Sequence, residues 1–219
     1  MALQFREINV KEAFTLVDSR GQFFRASLTT VGAAAGQAQV YEAMESSPES
    51  SLHLTLLCAV LARQRMLGVI QKATELGVVA VVPVLSEKSV PASGLAHEKA
   101  HAWPAQALRA ARQCRRASIP EVTQAIALTE AIAAAHFQQA KLRYYLDDRA
   151  PLGSALSHPR DAASRIAFVV GPEGGFTDAE RAQLAASGAA PLRLGGRVLR
   201  AETAALVGVA LLQHHYGDL

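Results

Sequence analysis

The chain has 219 residues, of which 50% are hydrophobic and 19% are charged, with a formal net charge of +3 and a sequence pI near 9.1. This apolar content suffices for a packed core and excludes an intrinsically disordered chain. The mild positive charge permits a nucleic-acid partner but does not require one.

Three features of the sequence predict a cytoplasmic protein with no membrane association. No apolar run reaches the length that a bilayer span requires, and residues 1–7 lack the apolar core of a signal peptide. The two cysteines, Cys58 and Cys114, lie far apart, in segments with core and helix character. Their separation indicates reduced thiols and argues against a disulfide framework or a metal site.

The amino-terminal segment differs from the rest of the chain in its predicted secondary structure, which is short strands. Strands are predicted over residues 14–18, 22–28 and 36–44. Three strands are too few for a stable independent domain. One interpretation is therefore a β-unit that only packs on the main body. Residues 45–51 are polar, contain a proline and predict a linker. We therefore expect one domain at residues 1–47 and a second at residues 48–219.

A strand–helix–strand unit follows the linker. Residues 52–60 and 78–85 are apolar runs typical of buried strands, and residues 66–76 carry apolar side chains at helical spacing. Gly77 stands where a glycine commonly ends a helix. This order indicates two parallel strands joined by a crossover helix.

Basic residues gather at the carboxyl end of the next helix, which is predicted over residues 96–116. Its polar stripe consists of Arg109, Arg112, Gln113 and Arg116, with Arg115 alongside. The stripe suits contacts with phosphate groups, and a solvated helix end that favours cations explains the same pattern. On the crossover helix, Lys72 and Glu75 are three residues apart and are expected to pair at the surface.

Shorter elements follow, with a strand, a helix and a strand predicted over residues 120–126, 129–139 and 142–146. Asp147 and Asp148 come next, and they do not predict a metal site because no further carboxylate or histidine is close in sequence. His214 and His215 are an equally weak ligand pair, because adjacent residues on a helix point in different directions.

The last part of the chain contains two strand–turn–helix units. Residues 166–170 are uniformly apolar, as in a strand buried on both faces, and a glycine-rich turn and a Thr177–Glu180 capping box follow. Such a turn is where an open α/β sheet usually binds its ligand. The second unit has a strand, a turn and a helix at residues 192–194, 195–197 and 201–216. That helix is apolar on all sides, which predicts that it is buried or pairs with another subunit.

The two turns carry specific motifs. They read Gly171-Pro172-Glu173-Gly174-Gly175-Phe176 and Leu194-Gly195-Gly196-Arg197-Val198-Leu199-Arg200-Ala201-Glu202-Thr203-Ala204. With Ile70-Gln71-Lys72-Ala73-Thr74-Glu75-Leu76-Gly77, they resemble the RsmE family of 16S ribosomal RNA uridine-N3 methyltransferases, of the SPOUT class. The resemblance implies an α/β fold, with a SPOUT-type trefoil-knotted parallel sheet flanked by helices. It also implies a partial PUA-like β-barrel that binds RNA at residues 1–47, shorter at its start than in the family.

The resemblance further implies an activity. The chain is expected to transfer a methyl group from S-adenosylmethionine to N3 of a uridine in 16S ribosomal RNA of the small ribosomal subunit, as a homodimer and without a metal. The alternatives are a SPOUT methyltransferase for another RNA position and a SPOUT-fold RNA-binding or ribosome-assembly protein without catalysis. An ordinary doubly wound nucleotide-binding fold is disfavoured, because it places its glycine turn early in the domain.

Candidate site residues come from these motifs and from the basic stripe. Cofactor binding is expected from Leu146, Gly171, Pro172, Glu173, Gly174, Gly175, Leu194, Gly195, Val198, Leu199 and Thr203. RNA binding is expected from Arg65, Lys72, Arg109, Arg112, Arg115 and Arg116. As catalytic residues, Arg200 is expected to stabilise negative charge on the uracil, and Glu202 to orient Arg200 or accept the N3 proton. The alternative for Glu202 is a capping role in the first helical turn.

Overall fold

The computed structural model of the protein describes residues 8–32, 35–151, 156, 158–161 and 164–219. Residues 1–7, which belong to the predicted amino-terminal domain and to the segment considered for a signal peptide, lie outside the described residues. Within the described part of the chain, no helix combines the length and the hydrophobicity needed to cross a membrane.

A small antiparallel sheet forms the amino-terminal part. Its described strands are β1 (Ala13–Val17), β2 (Phe23–Val31) and β3 (Gly36–Ala43), in that order, which confirms the three predicted strands. Residues 45–51 form neither helix nor strand, as expected of the linker. Every residue of β3 is exposed, and the buried strand residues described in this sheet are Thr15, Ala26 and Leu28. The small sheet therefore contributes little to the core.

The main body is built on a sheet that comprises seven parallel strands among the described residues. They are β4 (His53–Ala59), β5 (Ala80–Leu85), β6 (Glu121–Val122), β7 (Ile126–Ala127), β8 (Leu142–Leu146), β9 (Arg165–Val170) and β10 (Ala190–Leu192). Their order is β10-β8-β9-β4-β5-β6, and β7 also pairs with β5. The central strands β4 and β9 bring Leu56 opposite Phe168. Both strands are covered on both faces, which explains their continuous apolar sequence.

Helices cover both faces of this sheet. They are α1 (Arg63–Glu75), α2 (Trp103–Gln113), α3 (Leu128–Ala133), α4 (Ala135–Gln138), α5 (Asp178–Ala186) and α6 (Ala201–Tyr216). Side chains of α1, α2 and α6, such as Trp103, pack on one face with Phe168. Side chains of α3, α4 and α5, such as Phe137 and Leu184, pack on the other with Val169. Successive side chains of β9 thus pack into two separate cores, because side chains along a strand point alternately to opposite faces of the sheet.

Several predicted boundaries are confirmed closely. Strand β8 and helix α6 cover the predicted residues, and β4 and β9 differ from prediction by single residues at their ends. Gly77 ends α1 with φ +84°, and the Val78 amide donates to the carbonyl of Ala73 at 3.1 Å. A glycine in the left-handed region closes the helix there because it has no Cβ to clash.

Two predicted helices are wrong in extent. The helix expected over residues 96–116 is limited to α2, preceded by 3-10 turns at Ala92–Gly94 and Ala100–Ala102. Pro104 occupies the first turn of α2, where its missing N–H is no loss, and Arg115 at φ +61° lies beyond the helix end. The single helix expected over residues 129–139 is broken at Ala134, whose backbone is extended, into α3 and α4.

Two predicted short strands also differ in extent from the strands in the structure. The strand expected over residues 120–126 is divided into β6 and β7. The strand expected over residues 192–194 lies earlier, at β10, so Arg193 and Leu194 already belong to the following loop. That shift moves both side chains from the sheet to the rim of a cleft.

Candidate functional site

A cleft of about 280 Å³ lies at the carboxyl edge of the main sheet. Its walls are the loops that follow β8, β9 and β10, and the first turn of α6 adds Ala201 and Ala204. The loops meet because parallel strands end at the same edge of a sheet. This is the edge at which open α/β sheets bind their ligands.

The cleft brings together the residues predicted to bind a cofactor, apart from Thr203. Its lining includes Leu146, Gly171, Pro172, Glu173, Gly174, Gly175, Leu194, Gly195, Val198 and Leu199. Thr203 is exposed on α6 and lies off the cleft, because Ala201 and Ala204 occupy the helix positions that face it. Two segments that are distant in sequence thus form one site.

The loop after β9, residues 171–176, requires glycine at specific positions. A Cβ on Gly171 would lie 3.1 Å from the ring of Phe176, which is buried. Gly175 has φ +67°, a conformation that side chains disfavour. The glycines therefore leave backbone amides and carbonyls of this loop with little side-chain cover, which suits close approach of a small-molecule ligand.

A capping box fixes the end of this loop, as predicted. The amide of Glu180 donates to Thr177 Oγ1 at 3.3 Å, and the amide of Thr177 donates to Glu180 Oε2 at 2.8 Å. Glu180 Oε1 also accepts from the amide of Glu87 at 2.9 Å, and Lys88 Nζ donates to the carbonyl of Gly174 at 3.2 Å. The segment after β5 is therefore attached to the glycine loop, a contact that the motifs did not reveal.

Arg181 joins the loops after β8 and β9. Its guanidinium donates to the carbonyl of Phe176 and, at 3.2 Å, to Asp147 Oδ1. The Arg181 and Asp147 side chains are 14% and 9% exposed, so this ion pair is largely shielded from water. Asp147 therefore has a cationic partner, and among the described residues no group of three or more potential ligands is arranged for a metal. No sequence pattern indicates this role of Arg181, because the pairing depends on the meeting of two loops.

Three charged side chains from separate elements converge beside the cleft. Arg65 of α1 donates through Nη1 to Glu173 Oε1 in the glycine loop. Its Nε lies 3.7 Å from Oε1 of Glu202, in the first turn of α6. The other carboxylate oxygen of Glu202 is buried, and no hydrogen-bond partner for it exists within the described chain.

The expected partnership of Glu202 with Arg200 is not what the structure shows. Arg200 precedes α6 and is exposed, and in the described part of the chain Glu202 forms its ion pair with Arg65. Residues two positions apart at the start of a helix project their side chains in different directions. Glu202 therefore has a cation to hold it, but the cation comes from α1.

The residues expected to contact RNA divide into two groups. Arg109 and Arg115 are exposed at the end of α2 and just beyond it, whereas Lys72 is exposed but paired with Glu75 at 2.9 Å, as expected. Arg112 donates through Nε to Glu12 Oε1 at 2.9 Å, and this hydrogen bond lowers the pKa of the Glu12 carboxyl. The pair joins α2 to the small sheet.

Arg116 is placed differently from the expectation. Its side chain is only 4% exposed, and it donates to the carbonyls of Thr74 and Val78 at 3.0 and 2.7 Å and to the carboxylate of Glu49. The helix ends before Arg116, so this side chain turns inward and is not part of the helical stripe. A buried guanidinium with these partners is not available to a phosphate group.

A family model described as an RNA methyltransferase domain matches residues 48–213. A ribosomal RNA small subunit methyltransferase E from Synechocystis sp. (strain PCC 6803) is 30% identical over 200 residues, which cover 91% of this chain and 65% of that protein. The chain thus spans less than two thirds of that relative. A protein of the same name from Mesomycoplasma hyopneumoniae is 31% identical over 171 residues, with 78% and 73% coverage.

A solved structure has the same architecture. The crystal structure of a ribosomal RNA small subunit methyltransferase E from Neisseria gonorrhoeae, bound to S-adenosyl methionine, aligns with a TM-score of 0.76 at 30% identity. The alignment covers 100% of this chain and 89% of that one. The likeness therefore extends over both sheets.

Proposed function

The chain belongs to the RNA methyltransferase domain family, and on that premise we propose that it methylates N3 of a uridine in 16S ribosomal RNA of the small ribosomal subunit, with S-adenosylmethionine as donor. The observation that carries the proposal is the cleft in which the two glycine-rich motifs meet. Relatives named as ribosomal RNA small subunit methyltransferase E, one of them solved with S-adenosyl methionine, support it.

The residues around the cleft fit this cofactor. The backbone of Gly171, Gly174 and Gly175 on one side and of Gly195 on the other would hold it, with Leu146, Val198 and Leu199 supplying apolar contacts. Bound S-adenosylmethionine supplies a methyl group already activated by its sulfonium. The protein's part is to align the acceptor base with that group and to exclude water.

The reaction breaks the bond from the methyl carbon to sulfur, forms a bond from that carbon to N3 and releases the N3 proton. We assign Arg200 to the negative charge that develops on the uracil as the proton leaves, since Arg200 is exposed and lies in the chain between Leu199 and Ala201, which both line the cleft. We assign Glu202 as the group that accepts the proton, directly or through a water molecule. The start of α6 and the residue before it thereby carry the proposed chemistry.

RNA contacts are proposed for the exposed cations. Arg109 on α2 and Arg115 just beyond its end remain the main candidates, with Lys72 on α1, because exposed cationic side chains can reach phosphate groups. The small sheet packs beside Arg115, whose carbonyl accepts from Thr15 Oγ1 at 2.8 Å. Residues 1–47 as a partial PUA-like RNA-binding domain and residues 48–219 as a trefoil-knotted SPOUT domain complete the proposal.

A homodimer that acts in the cytoplasm is part of the same proposal. Helix α6 is apolar over residues 204–212, yet Val207 is 43% exposed and Leu211 is 37% exposed. A second copy packed against them would remove both side chains from water. Light scattering at several protein concentrations tests the dimer independently of the activity.

The activity is tested by incubating the protein with labelled S-adenosylmethionine and small ribosomal subunits that lack N3-methyluridine. Transfer of label to the RNA supports an enzyme. Cofactor binding without transfer to subunits or to naked 16S RNA would favour an RNA-binding or assembly protein of this fold. Transfer to a different RNA would favour a methyltransferase for another position.

A further inference from the structure

Arg65 occupies a special place among the cations of this protein. It lies in the first turn of α1, and its guanidinium contacts a carboxylate from each of the two motif segments. One contact is with Glu173 in the glycine loop, and the other is with Glu202 at the start of α6. A single side chain therefore links three elements that meet at the cleft.

The ion pair with Arg65 stabilises a carboxylate that is only partly satisfied, that of Glu202. Its Oε1 faces Arg65, while its Oε2 is buried and has no hydrogen-bond partner in the described part of the chain. A buried carboxylate oxygen without a donor is unfavourable, and such groups concentrate at sites with a chemical task. Glu202 is held in this arrangement by the cation on its other oxygen.

We infer that Arg65 is a positioning residue, which holds Glu202 beside the reacting end of the cleft and connects it to the cofactor loop through Glu173. The inference rests on the proposed function. A planar guanidinium presents donors in a fixed fork and can hold two carboxylates at once, whereas a lysine ammonium is a single point charge on a flexible chain. The sequence predicted that Arg65 contacts RNA, and its two ion pairs point to this different role.

The exposure of these groups indicates what kind of effect to expect. The side chains of Arg65 and Glu173 are 38% and 52% exposed, and ion pairs of that exposure contribute little to the stability of a fold. In contrast, even a small displacement of a reacting group strongly lowers the rate of the catalysed reaction. Loss of Arg65 should therefore reduce turnover much more than it reduces the melting temperature.

The kinetic test compares Arg65→Met, Arg65→Lys, Glu202→Gln and the double variant Arg65→Met/Glu202→Gln. We expect Arg65→Met to lower kcat about tenfold or more, with a smaller change in KM for the ribosomal subunit. Arg65→Lys should recover part of the loss, and the double variant should be no slower than Glu202→Gln alone. Gln64→Ala, an exposed neighbour on α1, serves as the control.

Two readouts do not depend on turnover. Hydrogen exchange of residues 171–176 in the cofactor-free protein should be faster in Arg65→Met than in the wild type or in Gln64→Ala. Calorimetric affinities for S-adenosylmethionine should show that Arg65→Met and Glu173→Gln are not additive in the double variant. If the wild type fails to transfer methyl groups, the proposed function fails, and these readouts still decide whether Arg65 holds the loop.

Other outcomes overturn the inference. Multiplicative losses of kcat in Arg65→Met/Glu202→Gln would show that Arg65 does not act through Glu202. Unchanged hydrogen exchange would show that it does not hold the glycine loop. A weakened RNA affinity with a reduced salt dependence, at unchanged kcat, would identify Arg65 as a phosphate contact instead.

Discussion

The guanidinium of Arg116 and the carboxylate of Glu49 form an ion pair at 2.7 Å between the end of α2 and the linker. Glu49 also accepts from the amide and the hydroxyl of Ser118, at 2.9 and 2.6 Å. Arg116 reaches the main chain at the end of α1 through the carbonyls of Thr74 and Val78. One buried cation therefore fastens the linker between the two sheets to the main body.

Arg116→Met should destabilise the fold by about 3 kcal/mol, because removing one partner of a buried ion pair leaves the other without compensation. Urea unfolding measures the loss. The control is Arg109→Met on the exposed side of α2, which should change stability by less than about 0.5 kcal/mol. Equal effects of the two substitutions would contradict the structural role of Arg116.

The same pair predicts a pH dependence of stability. Burial would raise the pKa of the Glu49 carboxyl, but the hydrogen bonds from Arg116 and Ser118 outweigh it and lower that pKa from 4.5. A carboxyl with a lowered pKa in the folded state stabilises the protein above its unfolded-state pKa, and this contribution is lost as the pH falls through the folded-state value. Unfolding free energies from about pH 7 to about pH 3 should fall less steeply in Glu49→Gln. An unchanged slope would exclude Glu49 as a contributor.

The role of Arg116 also shows where sequence reasoning stops. The spacing of Arg109, Arg112 and Arg116 places them on one stripe only if the helix continues to residue 116. The helix ends at Gln113, and the left-handed backbone of Arg115 turns Arg116 inward. A change of backbone direction over two residues thus converts an expected RNA contact into a core group.

Gly208 is predicted to tolerate no side chain. A Cβ there would lie 2.2 Å from the ring of Phe168, where α6 crosses β9. Gly208→Ala should therefore destabilise the protein by about 1–3 kcal/mol through overpacking, although alanine is the better helix former. Gly68→Ala in α1 is the matched control, since nothing lies within 4 Å of its added Cβ, and it should stabilise slightly. Thermal unfolding of both variants distinguishes packing from propensity, and a stabilised Gly208→Ala would contradict the packing described.

Arg181→Met should weaken the binding of S-adenosylmethionine several-fold. The substitution releases the carbonyl of Phe176 and the carboxylate of Asp147, and hence frees the loops on either side of the cleft. Isothermal titration calorimetry measures the change. Arg165→Met, on the opposite edge of the sheet, should bind as the wild type does. Equal affinities of both variants would show that Arg181 does not shape the cleft.

Cys58 is predicted to be inert towards thiol reagents in the folded protein. It is fully buried in β4, and burial raises the pKa of its thiol to about 12, so almost no thiolate exists at about pH 8. Cys114 is half-buried, and burial raises its pKa as well. A reagent such as Ellman's should label Cys114 slowly and Cys58 only after unfolding. Rapid labelling of the folded Cys114→Ser variant would contradict this placement of Cys58.

Much of the site was predictable because its residues are consecutive. Each glycine motif predicts a turn directly after a strand. Because β8, β9 and β10 are parallel, the two turns meet at one edge of the sheet. The side chains that connect the motifs were not predictable. Arg65 meets Glu173 across 108 residues and Arg181 meets Asp147 across 34, and no local pattern encodes such pairs. Their partners depend on how loops meet after the sheet has formed.

The most direct test of the central proposal is nucleoside analysis of small ribosomal subunits after incubation with S-adenosylmethionine and either the wild type or Arg200→Ala. The wild type should produce N3-methyluridine in 16S ribosomal RNA. Arg200→Ala should produce almost none while it unfolds at the wild-type temperature, because Arg200 is exposed and has no place in the core. A different methylated nucleoside, or no methylation by a wild-type protein that binds the cofactor, would contradict the proposal.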